Sequence, residues 1–277
     1  MNVATAPRVL VDGEPGESIA VDDRGLALGD GLFETIGVRG GRPRFWAAHR
    51  ERLSGGCDRL DIPAPDMDAL RADVERVIAG DDQGSLRVTV TRGRGPRGYA
   101  PPPDPQPTRI VAFQPGPAAA AAPAPIAVRW CRTRLALQPA LAGLKHLNRL
   151  EQVLARAEWN DPAIGEGLMR ATDGRVVEGV MSNLFLVTGD GSLATPALDE
   201  CGVAGVMRRL TLEAAAWADV PVHVRRIEPA DVESAAGVFM CNALRGLVPV
   251  VRLDAREWPV PESLLARLRD RVAALDA

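Results

Sequence analysis

The stretch PGPAAAAAPAP at residues 115–125 sets four prolines among alanines and shows neither helical nor strand periodicity. Each flank has its own strand and turn signals, so the chain is expected to form two regions, 1–114 and 126–277, joined by a Pro/Ala-rich connection at 115–125. In the first, strand-like runs at Arg8–Val11, Ile19–Val21 and Leu32–Val38 precede a Gly40-Gly41 hairpin turn leading to Arg44–Trp46. Helices are expected at Ala47–Leu60 and from an Asp66 N-cap to Ala79. Strands at Leu86–Thr91 and Arg109–Phe113 flank a Gly/Pro-rich loop, Gly93–Pro107. In the second region, strands are expected at Ile126–Cys131, Gly167–Thr172, Val176–Val180, Leu184–Thr188, Val222–Ile227, Val238–Cys241 and Leu247–Leu253. Helices are expected at Leu147–Trp159, Val206–Trp217 and Glu262–Leu275, with turns at Asp173-Gly174 and Asp190-Gly191. The mixture of hairpins and helices reads as α+β rather than a doubly wound series. Gly93 and Gly95 form a G-x-G without the helix that a dinucleotide fingerprint requires.

Composition removes several functions. No apolar run approaches the ~18 residues of a membrane helix, and the N-terminal MNVATAPRVLVDG lacks a basic segment followed by an apolar stretch, so a cytoplasmic protein with no membrane partner is expected. A net charge of −3 with scattered arginines gives no electrostatic reason to bind nucleic acid. The cysteines (57, 131, 201, 241) and histidines (49, 146, 223) are far apart, so no metal site is expected. Either the protein is no enzyme or a cofactor supplies what its side chains lack.

The basic residues are 32 arginines and one lysine, Lys145. Arginine can replace a solvated lysine, but not an amine that must lose its proton or form an imine with a carbonyl. Taken alone, Lys145 reads as a surface survivor more readily than as a functional amine, so its neighbourhood has to decide. It stands just before a helix whose expected apolar face is Leu147, Leu150, Leu154 and Ala157, at a loop-to-helix entry from which a side chain can point into a cleft. Glu178 lies in an otherwise apolar strand pair, EGVMSNLFLV, and needs either a cationic partner, such as a pyridine nitrogen, or a strand edge facing water. Gly205-Val206-Met207-Arg208 opens a helix whose free N–H groups could cradle a phosphate, although many helices begin so without binding anything. Arg52, in HRERL, could add a bidentate charge or simply be solvated.

Together, H-x-x-R-L at 49–53, Lys145, E-x-x-x-S-N-L-F at 178–185, G-V-M-R at 205–208 and GDGLFET at 29–35 resemble the class IV aminotransferase family, the fold-type IV pyridoxal phosphate enzymes. The resemblance covers nearly the whole chain. It implies a two-domain fold, a smaller N-terminal α+β domain and a larger C-terminal mixed α/β domain, in a homodimer with pyridoxal 5′-phosphate between the domains. The family contains branched-chain and D-amino acid aminotransferases and aminodeoxychorismate lyases. RGRGPRGY (92–99), LAGLKHLNRLEQVL (141–154) and MCNALRGLVPV (240–250) are most similar to the lyases, whereas Phe33-Glu34 after GDG also suits branched-chain aminotransferases. A member that keeps the fold without catalysis is a third alternative. The resemblance further implies that Lys145 carries the cofactor as an imine and Glu178 meets its ring nitrogen. Arg52 and the amides of Val206 and Met207 would hold the phosphate, with Ser182, Asn183 and Asn242 as further contacts. The lyase substrate carries two carboxylates, for which Arg97 and Arg109 are candidates with Tyr99 beside Arg97. Thr35 is a candidate proton relay to departing pyruvate.

Overall fold

The computed structural model describes residues 8–117 and 122–276. Residues 1–7, the first part of the segment read for a leader, and residues 118–121 of the Pro/Ala-rich connection lie outside them. The chain forms two compact units. The first comprises Met1–Ala118 with Lys145–Asn148, the second Ala119–Leu144 with Arg149–Ala277. Sequence had assigned 126–277 to one region, and the structure returns Lys145–Asn148 to the first unit.

The first unit contains β1 (Arg8–Val11), β2 (Glu14–Pro15), α1 (Arg24–Leu28), β3 (Gly31–Arg39), β4 (Arg42–Pro43), α2 (Trp46–Leu60), α3 (Met67–Ile78), β5 (Gln83–Thr91) and β6 (Thr108–Pro115). Its antiparallel sheet has the order β2-β1-β6-β5-β3-β4. Strand alternation buries Leu32, Glu34, Ile36 and Val38 on one face of β3, the face that packs on α2. The β3–β4 turn needs the left-handed φ values of Gly40 and Gly41, +57° and +68°. Asp66 caps α3 by accepting from the N–H groups of Asp68 and Ala69, at 2.8 and 3.1 Å, a cap that stabilises by about 1 kcal/mol.

Three local expectations are corrected. Ile19–Val21 is not a strand, because Asp23 N–H closes a turn onto the Ala20 carbonyl and the Asp23 side chain caps α1, which sequence missed. The strand expected at Arg44–Trp46 ends at Pro43, because Phe45 turns left-handed (φ +51°) to start α2. The helix expected from Leu147 begins at Leu150. Leu147 N–H donates to the Gly31 carbonyl at 2.9 Å and Asn148 Nδ2 to the Gly29 carbonyl at 3.1 Å, so the preceding segment lies along β3.

The second unit contains β7 (Ile126–Leu135), α4 (Leu150–Arg156), β8 (Ile164–Ala171), β9 (Val176–Gly179), β10 (Asn183–Val187), β11 (Leu193–Pro196), α5 (Val206–Trp217), β12 (Val222–Arg225), α6 (Pro229–Ser234), β13 (Gly237–Asn242), β14 (Gly246–Leu253), β15 (Arg256–Glu257) and α7 (Glu262–Ala274). Its mixed sheet runs β12-β11-β10-β13-β14-β7-β8-β9, and β9 pairs back onto β10 through Glu178 and Asn183, closing the sheet on itself. Val128, Leu168, Leu184, Leu186, Val238, Met240 and Val250 belong to one buried cluster. Phe185 and Phe239, cross-strand neighbours on β10 and β13, stack at 5.0 Å. The apolar face expected on α4 does not enter a core: Leu150 and Leu154 are 75% and 61% exposed, while Ala155 is the buried residue.

Candidate active site

The predicted residues fall into two groups, one in each unit. In the first, Lys145 runs beside β3: its carbonyl accepts from Phe33 N–H at 3.0 Å, and its Nζ lies 4.2 Å from the centroid of the Phe33 ring. The negative face of an aromatic ring attracts an ammonium without forming a bond to it. Thr35 follows two residues later on the same face of β3.

The opposite face of β3 carries Glu34, 2% exposed. Its carboxylate accepts from His49 Nδ1–H at 2.6 Å and Arg52 Nε–H at 2.8 Å, and also from Arg52 Nη2. His49 and Arg52 are three residues apart on α2, hence on one helix face. Burial alone would push the Glu34 carboxyl up, but the Arg52 charge and the His49 hydrogen bond outweigh it and hold the group down at about 2. Burial lowers the His49 pKa despite Glu34, and His49 Nε2 is buried without a partner. Sequence reasoning read Arg52 alone. The available signals were the i,i+3 spacing of His49 and Arg52 and an acid inside GDGLFET, but their meeting depends on packing between α2 and β3.

The other first-unit candidates separate. Arg97 and Tyr99 sit in the Gly93–Pro107 loop, Tyr99 being 88% exposed. Arg109 Nε donates to Asp73 on α3 at 2.8 Å, an ion pair that ties helix to sheet.

In the second unit, Glu178 on β9 is buried and accepts from Val203 N–H at 2.9 Å and Asn183 Nδ2 at 3.3 Å. Asn183 Nδ2 also donates to the Val203 carbonyl at 2.8 Å, so Asn183 orients Glu178. Ser182 Oγ donates to Glu166 at 2.8 Å and accepts from Asn242 Nδ2 at 2.9 Å, while Asn242 Oδ1 accepts from the N–H groups of Leu244 and Arg245. Glu166, fully buried, also accepts from Met181 N–H at 2.8 Å. Burial pushes its carboxyl up against those hydrogen bonds. Sequence reasoning missed this residue, because nothing in GEGLMR distinguishes an inward glutamate from an edge one.

Val206 and Met207 are the first residues of α5, behind Gly205, which supplies no side-chain cap. A Cβ at Gly205 would fall 2.0 Å from Asn183 Oδ1, so glycine permits this close approach to β10. An uncapped helix start of this kind offers N–H groups and positive dipole to an anion.

Burial pushes the thiols of Cys57 and Cys201 up to about 11 and those of Cys131 and Cys241 up to about 12, so all four are inert. Among the described residues no group of His, Cys, Asp and Glu could hold a metal ion, and no helix is long and apolar enough to cross a membrane.

Residues 31–253 match the amino-transferase class IV family. The chain is 36% identical to the aminodeoxychorismate lyase of Vibrio harveyi over 89% of its own length and 92% of the relative's. The crystal structure of the 4-amino-4-deoxychorismate lyase of Pseudomonas aeruginosa superposes with a TM-score of 0.89 at 49% identity, covering 96% of this chain and 98% of that one. A bifunctional aminodeoxychorismate lyase and D-amino acid transaminase of Mycobacterium tuberculosis is 28% identical over 91% of this chain and 92% of the relative.

Proposed function

The chain belongs to the amino-transferase class IV family, and from that premise we propose that it is a pyridoxal phosphate-dependent lyase that converts 4-amino-4-deoxychorismate to 4-aminobenzoate and pyruvate for folate synthesis. The observation that carries the reading is the run Lys145-His-Leu-Asn-Arg-Leu-Glu151 set in a chain 49% identical to the Pseudomonas lyase. A homodimer acting in the cytoplasm is part of the same proposal. Leu150, Val153 and Leu154, all exposed on one face of α4, support a second copy as the partner.

The residues present fit the cofactor. Lys145 is the chain's only side-chain amine, able to form an imine with an aldehyde, and the start of α5 has no side-chain cap on the N–H groups that would face a phosphate. We assign Lys145 to the cofactor aldehyde and Glu178 to its ring nitrogen. Arg52 and the amides of Val206 and Met207 are assigned to the phosphate. Asn183 steadies Glu178, while Ser182 and Asn242 brace the β9–β10 turn. When bound, pyridoxal phosphate supplies a sink for the electron pair left at the substrate carbon.

With the substrate bound, the amine of Lys145 would serve as the base that takes the ring proton next to nitrogen. The C–O bond to the enolpyruvyl group then breaks, the ring becomes aromatic, and the departing enol takes a proton through Thr35 to become pyruvate. Atoms balance without a redox partner or a metal. Arg97 and Tyr99 meet the substrate carboxylates. Arg109, engaged by Asp73, serves the fold rather than the substrate.

One observation favours a second reading. Phe33-Glu34 also suits branched-chain aminotransferases, in which the same lysine would return the proton to the cofactor side. The test incubates the loaded protein with aminodeoxychorismate, following 4-aminobenzoate fluorescence, and in parallel with D-alanine or branched-chain amino acids and 2-oxoglutarate. The lyase reading expects 4-aminobenzoate and pyruvate in equal amounts. Amino transfer without 4-aminobenzoate would sink it.

A further inference from the structure

The Gly93–Pro107 loop carries exposed Arg97 and Tyr99, yet its backbone is fastened at many points. At its base Gly93 adopts φ +83°, where an added Cβ would lie 1.7 Å from the Gln106 carbonyl oxygen, so the two ends of the loop touch. Asp23 accepts from Thr91 Oγ1 at 3.0 Å and Thr108 Oγ1 at 2.7 Å, tying the strand ends together. Arg94 pairs with Asp22 at 2.8 Å.

Arg24 is the centre of the fastening. Its own N–H donates to the Gly93 carbonyl at 2.9 Å. Its guanidinium, in a residue only 4% exposed, donates to three successive loop carbonyls: Gly98 at 3.2 Å, Tyr99 at 3.0 Å and Ala100 at 3.2 Å. Its Nε donates to Asp30 at 2.8 Å, and Asp30 also accepts from Arg92, whose other donors reach the Leu60 and Asp61 carbonyls. A planar fork of five donors suits this task, because one ammonium cannot span three carbonyls and a carboxylate. Gly95 admits the side chain, since a Cβ there would lie 2.8 Å from Arg24 Cδ.

We propose that Arg24 is the positioning residue of this loop: by pinning the carbonyls of residues 98–100 to Asp30, it presents Arg97 and Tyr99 to the substrate as a preformed surface rather than a mobile lid. The inference rests on the reading above that Arg97 and Tyr99 meet the substrate. Its energetic logic is preorganisation, in which ordering is completed during folding and is not charged against binding.

Trypsin tests the clamp separately from activity, because the Arg97–Gly98 bond lies in the loop and is exposed. In the pyridoxal phosphate-loaded full chain, that bond should be cut far more slowly than in a peptide of residues 93–107. Arg24→Lys keeps a cation opposite Asp30 but loses the fork. It should raise cleavage at Arg97 about tenfold, the factor that about 1.4 kcal/mol carries and within what one charge-assisted hydrogen bond supplies. The same variant should raise the KM for aminodeoxychorismate about tenfold while kcat stays within about twofold, with the visible absorbance of the cofactor unchanged. Wild-type cleavage as fast as the peptide's, or equal cleavage in wild type and variant, overturns the clamp. Faster cleavage with an unchanged KM leaves the clamp standing and overturns the loop's role at the substrate.

Discussion

Glu34 is set by three opposing influences, burial on one side and the charge of Arg52 and the hydrogen bond of His49 on the other, and the balance holds it ionised inside the fold. The sign of its contribution to stability follows. The unfolded carboxyl, near 4.5, binds a proton before the folded one, near 2, so the contribution is complete above pH 4.5 and is lost as pH falls towards 2. The shift corresponds to about 3 kcal/mol. We predict that urea unfolding of the cofactor-free protein shows this loss on acidification and that Glu34→Gln flattens the slope in that window; parallel slopes would refute the assignment. Local signals placed Glu178 within a strand and Val206-Met207 at a helix start, and that is where β9 and α5 hold them. Glu34, Glu166 and Arg24 were not legible. Apart from Asp30 beside Arg24, the partners cited for them stand 15 or more residues away, and no local pattern reveals which strand face an acid occupies or which carbonyls an arginine reaches.

Among the elements, α5 was read to its ends, because Gly205 interrupts one side and an apolar period of Leu210, Ala214 and Ala215 marks the buried face. The hairpin turns at Gly40-Gly41, Gly174 and Gly191 were legible for a similar reason, since all require left-handed backbone. The helix after Lys145 shows where periodicity misleads. Its apolar residues repeat at helical spacing, but Leu150, Val153 and Leu154 are exposed and the first turn expected at Leu147 is given to β3 instead. Periodicity states that a face is apolar, not which partner covers it. We predict that the wild type elutes as a dimer under light-scattering detection and that Leu154→Glu, which places a charge on that face, shifts it towards monomer with little change in the fold. A wild type already monomeric at micromolar concentration, or a variant that remains dimeric, would contradict a second copy on α4.

Over the whole chain, the fold-type IV architecture was legible in the order of its motifs, and the similarity to the solved Pseudomonas lyase matches it. What no linear reading anticipated is that four residues far along the chain, Lys145–Asn148, leave the second region and extend the first unit beside β3. That return places the chain's single lysine on the aromatic face of Phe33. It also makes the central claim testable, because the only other amine in the protein is its N-terminus. The most direct measurement is borohydride reduction of the pyridoxal phosphate-loaded protein followed by peptide mapping. The account predicts one pyridoxyl group per chain, on Lys145, and none in Lys145→Ala. A label confined to the N-terminus, or no label on a loaded wild type, would contradict it.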